Sequence, residues 1–338
     1  MSFWKTLSLL QKNLVGSILA FMVLGVIAGY LFDASALKVL ITPFTFIMVY
    51  PMMVTLNIKK VLSGGDTKIQ IATQLLNFMV FPLVAFIIGS LFLADKPMLI
   101  VGLLLIALLP TSGMTISWTG FAKGNVEAAI KMTVIGQLAG AILAPFYLKY
   151  LAGTVMTIPL LSIFQQIVTI VLIPFVAGIL TQKLLVWKYG QVHYQTSIKP
   201  KFPLLSTVGV FGTVFVAMAL RSKAIIAEPS LLLALLAPLV TFYLITFILS
   251  SLIGRTLFNR NDAIALVYGT AMRNLSVALA IALTVFGEQG AEMALIIALA
   301  FVFQVPTAAW YLKIIDRLFG EIPVPGPQLG PQLANKEI

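Results

Sequence analysis

The chain has 338 residues, 60% of them hydrophobic and only 10% charged, with 22 lysines and arginines against 11 aspartates and glutamates. A soluble domain carries about 25% charged residues, so this composition marks an integral membrane protein, and the net charge of +11 reads as loop charge that orients it in a bilayer rather than as a nucleic-acid surface. The absence of cysteine excludes disulfides and thiolate–metal chemistry, and the single histidine, His193, falls in a polar stretch as a solvated loop residue.

In chain order, ten apolar runs have the length of about 17–25 residues that a bilayer span needs. They are Leu14–Phe32, Leu37–Asn57, Ile69–Leu93, Met98–Phe121, Val126–Leu151, Ile158–Leu180, Leu204–Leu220, Leu231–Ile253, Ala263–Phe286 and Ala291–Ile314. The first follows Lys5 and Lys12 and precedes Ala34-Ser35-Ala36. It outruns the roughly 7–15 apolar residues of a secretory signal, so it reads as a span. Lys and Arg divide fifteen to five between the loops of the two sides, with Lys131 and Arg273 inside runs. The positive-inside rule then places both termini in the cytoplasm of a cell-membrane protein, in keeping with an even number of spans. Thr181–Phe202 reads as the longest basic loop, and the proline-rich stretch Glu321–Ile338 as a disordered cytoplasmic tail. Residues 1–320 then form a single membrane domain.

Two of the runs are interrupted. Pro110-Thr111-Ser112-Gly113 breaks the fourth, and Gly269-Thr270-Ala271-Met272-Arg273-Asn274 breaks the ninth, with a full cation at membrane depth. Such a charge costs at least about 2.5–3.5 kcal/mol and usually marks a pathway. Broken helices in corresponding halves of a chain point to a transporter's binding site. Ten spans divide into five plus five, and an odd repeat must invert. The junctions before Glu127 and Glu292 look alike, each glutamate falling in a helical first turn. Thr111 and Ser112 suit the cap of a half-helix from Gly113, and Asn274 and Ser276 that of one from Leu275. Two positive helix ends and the Arg273 guanidinium would form an anion-binding centre, with Thr270 in its wall. Gln74, Asn77, Thr133 and Gln137 are weaker signals, as well explained by packing. Lys131, four residues after Glu127, reads as an ion pair or a snorkelling lysine, with a transport role the alternative. All carboxylates lie in loops or terminal turns, so the usual proton relay is missing. No Walker motif, metal-ligand cluster or catalytic His or Cys is present, which speaks against ATP as the driver and against an enzyme.

These features together resemble the bile-acid:sodium symporter superfamily, which includes arsenite efflux transporters. Phe121-Ala122-Lys123-Gly124-Asn125 resembles the Leu-Ala-Lys-Gly-Asn segment after the broken fourth helix, and Met272-Arg273-Asn274 stands where the symporters have Met-Gln-Asn. Asn77, five residues before Pro82, matches a polar position of their sodium site, and Thr115 and Thr133 match two hydroxyl ligands. Met114, Trp118 and the Asn77–Pro82 stretch resemble the arsenite branch. The resemblance implies an all-α fold of ten transmembrane helices in two inverted five-helix repeats, with helices 4 and 9 broken and crossing. It also implies a core of helices 3–5 and 8–10 rocking against a panel of helices 1, 2, 6 and 7.

The sequence departs from both branches. The symporter glutamate of the ninth span falls on Gly269 and its glutamine on Arg273, while the asparagine of the fourth span falls on Ile116. The arsenite branch's cysteine falls on Thr111 and its ninth-span glutamate on Ser276. The reading that follows is a secondary transporter of a small organic anion, with Thr111, Ser112, Gly113, Thr270, Arg273, Asn274 and Ser276 at the substrate. Asn77, Thr115, Thr133 and Gln137 stand as ion ligands if sodium is used. No other cofactor and no partner beyond substrate and lipid is expected, neither nucleic acid, ATP nor protein. Metalloid efflux, a channel and a receptor are the alternatives. Arg273 is read as a tethered cation in place of sodium; the plainer option keeps one sodium site near Thr115 and Thr133, with Arg273 turned to the cytoplasmic vestibule.

Overall fold

The computed structural model describes residues 3–55, 65–154, 161, 164–165, 168–227 and 230–320. The tail Glu321–Ile338, the loop lysines Lys59 and Lys60, and the start of the sixth run at Ile158 lie outside them. The described residues are helical, and the one β-type contact is an isolated antiparallel bridge between Pro110 and Arg273. In chain order the helices are α1 (Phe3–Lys12), α2 (Leu14–Leu31), α3 (Ile41–Val54), α4 (Thr67–Phe92), α5 (Pro97–Leu108), α6 (Gly113–Phe121) and α7 (Val126–Leu151). After these come α8 (Ile173–Tyr189), α9 (Lys201–Ala227), α10 (Leu236–Leu257), α11 (Arg260–Ala271), α12 (Leu275–Val285) and α13 (Gly287–Leu312). Seven described helices are long and apolar enough to cross a membrane, and α5 and α12 are shorter apolar helices. This is an all-α multi-pass membrane protein.

Local sequence explains most of the boundaries. Asn125 caps α7 by accepting the Ala128 N–H at 2.9 Å, and Asn259 caps α11 by accepting that of Asp262 at 3.0 Å. Pro82 cannot donate to the carbonyl of Phe78. The Tyr147 hydroxyl takes that carbonyl instead, and the chain passes through one π turn at Leu76–Val80. Close packing of helices α2, α3 and α9 depends on glycine. A Cβ at Gly29 would sit 2.0 Å from the Ala219 carbonyl, and one at Gly25 2.5 Å from that of Phe215. This small-xxx-small pair lets the α2 and α9 backbones touch, the usual route to helix association where lipid removes the hydrophobic driving force.

Several expectations change. The stretch Thr181–Phe202 is helical rather than a loop: α8 runs on to Tyr189, and a short helix and a π turn follow at Gln191–His193 and Tyr194–Ile198. Tyr194 is buried there, and its hydroxyl and the Gln182 amide both donate to the Val54 carbonyl at the end of α3, at 2.9 and 3.0 Å. His193 is exposed as expected, on that helix. Glu292 is not in a first turn, because α13 starts at Gly287; it pairs instead with Arg221 at 3.0 Å. An unforeseen helix, α1, carries Phe3, Trp4, Leu7, Lys5 and Lys12 and has the make-up of an interfacial helix. Lys131 is only 2% exposed and forms the expected ion pair with Glu127, at 3.5 Å, together with an unforeseen one to Asp66 at 2.9 Å. The Asn125 amide bridges Asp66 and Asp262 beside it, tying the starts of α4, α7 and α11 together.

Replacing Gly29 with leucine drives a side chain into the α9 backbone. Overpacking of this kind costs at least about 1–3 kcal/mol. The expected outcome is a clearly lowered unfolding midpoint in detergent, measured against Gly153→Ala, whose added Cβ meets nothing within 4 Å.

Candidate functional site

The site is built where two helices stop and restart beside each other. At Pro110 and Arg273 the broken chains run antiparallel, and the Asn274 N–H donates to the Leu109 carbonyl at 2.8 Å. Backbone freed at membrane depth must find partners within the protein, and here nearly every one is identifiable. Ser112 caps α6 by accepting the Met114 N–H at 3.2 Å, and Thr115 Oγ1 returns the bond to the Ser112 N–H at 3.2 Å, a capping box. Thr111 adopts a left-handed backbone with φ 61°, and its hydroxyl donates to the Pro110 carbonyl at 2.6 Å and the Thr133 carbonyl at 3.3 Å. Asn274 caps α12 by accepting the Val277 N–H at 3.2 Å. Because the bond joins the flanking residues, the N–H and carbonyl of Arg273 itself point away from Pro110. The Gln304 side chain of α13 stands in as a strand partner, its Oε1 accepting the Arg273 N–H at 2.8 Å and its Nε2 donating to the Arg273 carbonyl at 3.2 Å. The Tyr243 hydroxyl also donates to Gln304 Oε1, at 3.0 Å, and fixes the amide's orientation.

The Arg273 side chain leaves the crossing towards α4 and α10 and is 1% exposed. Nη1 donates to Asn77 Oδ1 at 3.0 Å and to the Ala107 carbonyl at 3.1 Å. Asn77 Nδ2 in turn donates to the Gly269 carbonyl at 3.0 Å. The rings of Phe81 and Phe242 lie 5.0 and 5.6 Å from the guanidinium carbon. Among the described residues no carboxylate pairs with it, and its Nε and Nη2 have no hydrogen-bond partner. Hydrogen bonds to a charged group contribute about 1.5–3 kcal/mol each, and desolvated cation–π contacts about 2 kcal/mol. These contacts offset part of the cost of an arginine at membrane depth, at least about 2.5–3.5 kcal/mol. A guanidinium keeps its proton in a protein, so a charge is buried here without an acid among the described residues.

On the other face of the crossing lies an open cleft. Its larger part, about 750 Å³, is lined by Met52, Gly113, Ile116, Ile130, Val134, Gln137 and Pro203, with Gln191, Gln195 and Lys199 at the mouth. An adjoining part of about 200 Å³ shares Met52, Gly113 and Pro203 and reaches Met114, Ser206, Thr207 and Ser276. Of the predicted substrate residues, Gly113 and Ser276 thus face the cleft, and Ser112 is buried directly behind Gly113 as the cap. Thr111 and Asn274 are buried in the breaks themselves. Thr270 and Arg273 are not brought to the cleft. The Thr270 hydroxyl is bound to Ser250 at 2.6 Å and to the Val267 carbonyl at 2.9 Å, facing α10. Arg273 bonds the α5 carbonyl of Ala107 in the interior and is 1% exposed, so it faces neither the cleft nor a vestibule. Of the predicted ion ligands, Gln137 lines the cleft, Thr115 and Thr133 are buried beside it with hydroxyls engaged to backbone, and Asn77 binds Arg273. The residue that sequence reasoning missed is Gln304. An amide two residues before Pro306 in an otherwise apolar run was the available signal.

The profile of the sodium bile acid symporter family matches residues 42–228, over half of the chain. The chain belongs to that family. It is accordingly a membrane transporter. Among relatives of the family, the chain is 27% identical over 261 residues to the arsenical-resistance protein Acr3 of Corynebacterium glutamicum, covering 73% of this chain and 70% of that protein. It is 22% identical over 288 residues to the Acr3 protein of Alkaliphilus metalliredigens, covering 80% of each. A shorter match, 31% identity over 104 residues, links it to the probable sodium/metabolite cotransporter BASS1 of Arabidopsis thaliana, covering 31% of this chain and 26% of that protein.

Gln304→Leu leaves the buried Arg273 N–H and carbonyl without partners, each at a cost of about 1–3 kcal/mol. The expected outcome is a large drop in unfolding midpoint. Gln304→Glu, which keeps the acceptor for the N–H but loses the donor to the carbonyl, should fall between it and the parent. Thermal unfolding of the purified variants measures both.

Proposed function

We propose that this family member is a secondary transporter of a small organic anion and works by alternating access across the cell membrane. The observation that carries the reading is the meeting of two half-helix N-termini, at Gly113 and Ser276, on one cleft with no acidic side chain among its described lining residues. Such ends present a positive dipole to an anion. A volume of about 750 Å³ lies within the roughly 300–1,000 Å³ of small-molecule sites. The apolar wall of Met52, Ile116, Ile130 and Val134, with Gln137, Gln191, Gln195 and Lys199 around it, suits an anion with one charged head and an apolar body.

The proposed architecture is ten spans in two inverted repeats, α5–α6 and α11–α12 being the broken pair. Helices α4–α7 and α10–α13 act as the core, and α2, α3, α8 and α9 as the panel. Lys199 lies just before the start of the 27-residue α9 and Arg221 near its end, so the open cleft and the Arg221–Glu292 ion pair are on opposite sides of the membrane. The pair joins panel to core on the closed side. In this reading both termini are cytoplasmic and the open side is the cytoplasmic one.

Counterflow in proteoliposomes tests the reading with octanoate, octanesulfonate, suberate and arsenite as probes. Saturable exchange of a monoanion supports it. Exchange of arsenite alone would favour metalloid efflux, the second reading, which the two Acr3 relatives motivate and which a chain without cysteine would have to perform through oxygen and nitrogen ligands. Conductance without saturable counterflow would mark a channel.

Opening on the closed side requires the Arg221–Glu292 pair to break. The chain is free of cysteine, so Leu283→Cys, buried beneath that side and lining its clefts, gives a clean reporter. Adding Glu292→Gln is expected to raise its rate of labelling by a membrane-impermeant maleimide several-fold.

A further inference from the structure

The four helix ends at the crossing are sorted by charge. The N-termini of α6 and α12 meet the cleft, whereas the C-termini of α5 and α11 turn the other way, into the interior between α4 and α10. In discontinuous helices, carbonyls at such negative ends are the groups that hold a coupling cation. Here they are already served. Arg273 Nη1 takes the carbonyl of Ala107, in the last turn of α5, together with the Asn77 carboxamide oxygen, at 3.1 and 3.0 Å. The same Asn77 side chain closes the Gly269 carbonyl in the last turn of α11. The guanidinium is fully enclosed, has no acid among the described residues, and keeps three of its five N–H donors, those of Nε and Nη2, unused. It is thus held by neutral oxygens and helix ends, the ligands a hard monovalent cation would take, and by the rings of Phe81 and Phe242.

We infer that Arg273 is a built-in substitute for a coupling cation, so that the transport cycle needs neither sodium nor potassium, and that removing the guanidinium opens a new site for a monovalent cation. Electrostatically, the crossing needs one positive charge at the α5 and α11 carbonyls to hold two positive helix ends preorganised for an anion. A symporter must recruit that charge from solution in every cycle. This chain carries it on a side chain, and the anion moves without an ion gradient as its partner. The inference extends the proposed anion transport, but its test needs no substrate, so failure of the anion panel would leave it standing.

The test is thermal unfolding of the purified full-length protein in NaCl, LiCl or KCl against choline chloride at equal ionic strength, since an ion that binds only the folded state raises the midpoint. The parent is expected to show the same midpoint in all four salts. Arg273→Gln, which vacates the charge and leaves a carbonyl oxygen, is expected to start lower and to regain several degrees as one alkali cation saturates. Arg273→Lys, which keeps a tethered cation, should show no such response. A saturable cation-dependent shift in the parent overturns the inference, as does a folded Arg273→Gln that responds to none of the three cations. If Arg273→Gln does not fold, the parent and Arg273→Lys decide: no response in either supports the inference, and a response in either defeats it.

Discussion

The crossing of two interrupted helices is the constraint on which the rest of this protein depends. Ending a helix inside a membrane strands backbone N–H and carbonyl groups where no water can serve them. Here the two breaks serve each other through the Asn274 N–H and the Leu109 carbonyl, and the Gln304 amide serves the Arg273 N–H and carbonyl, which point away from Pro110. The remaining ends are capped by Ser112, Thr115 and Asn274 on the side that meets the cleft, and by Asn77 and Arg273 on the side that does not.

This division gives the crossing two electrostatic faces. Positive helix ends open onto a cleft walled mainly by apolar residues and amides, while negative ends enclose a cation. Helix dipoles act over about one turn, so both faces owe their character to the few residues around the breaks. Arg273 is held locally, by two carbonyl-type oxygens and two aromatic rings. The ion pairs of Lys131 with Asp66 and Glu127 lie at the start of α7 and tie it to the start of α4, while Asn125 adds the link to α11 through Asp262.

Membership of the sodium bile acid symporter family supplies the class, a membrane transporter, and the named relatives span arsenical resistance and sodium-coupled metabolite transport. The residues at the crossing separate this chain from a simple extrapolation to either. Thr111 contributes a hydroxyl committed to backbone, and Gly269 contributes only its carbonyl; a Cβ there would lie 2.7 Å from Met132 Sδ, so that the thioether would have to shift.

Much of this was legible from the order of residues alone. Hydropathy located the seven long apolar helices of the described residues because lipid imposes length and apolarity directly, and Pro110, Gly113 and Asn274 announced the breaks because they act on their own backbone. The caps Ser112 and Asn274 and the Lys131–Glu127 pair are likewise local, three or four residues from their partners. What hydropathy misread was the Thr181–Phe202 segment, whose polar residues look like loop; the buried Tyr194 that makes it structural bonds Val54, 140 positions away. The direction of Arg273 was equally out of reach. Its charge predicts a polar partner, but whether that partner is a substrate in the cleft or the carbonyl of Ala107, 166 residues distant, depends on how the two broken helices cross. Composition and spacing thus determine that a cation sits at a helix break in the membrane. Long-range packing, which alone brings the α5 and α11 carbonyls together, determines that it faces inward and leaves the cleft to the helix N-termini.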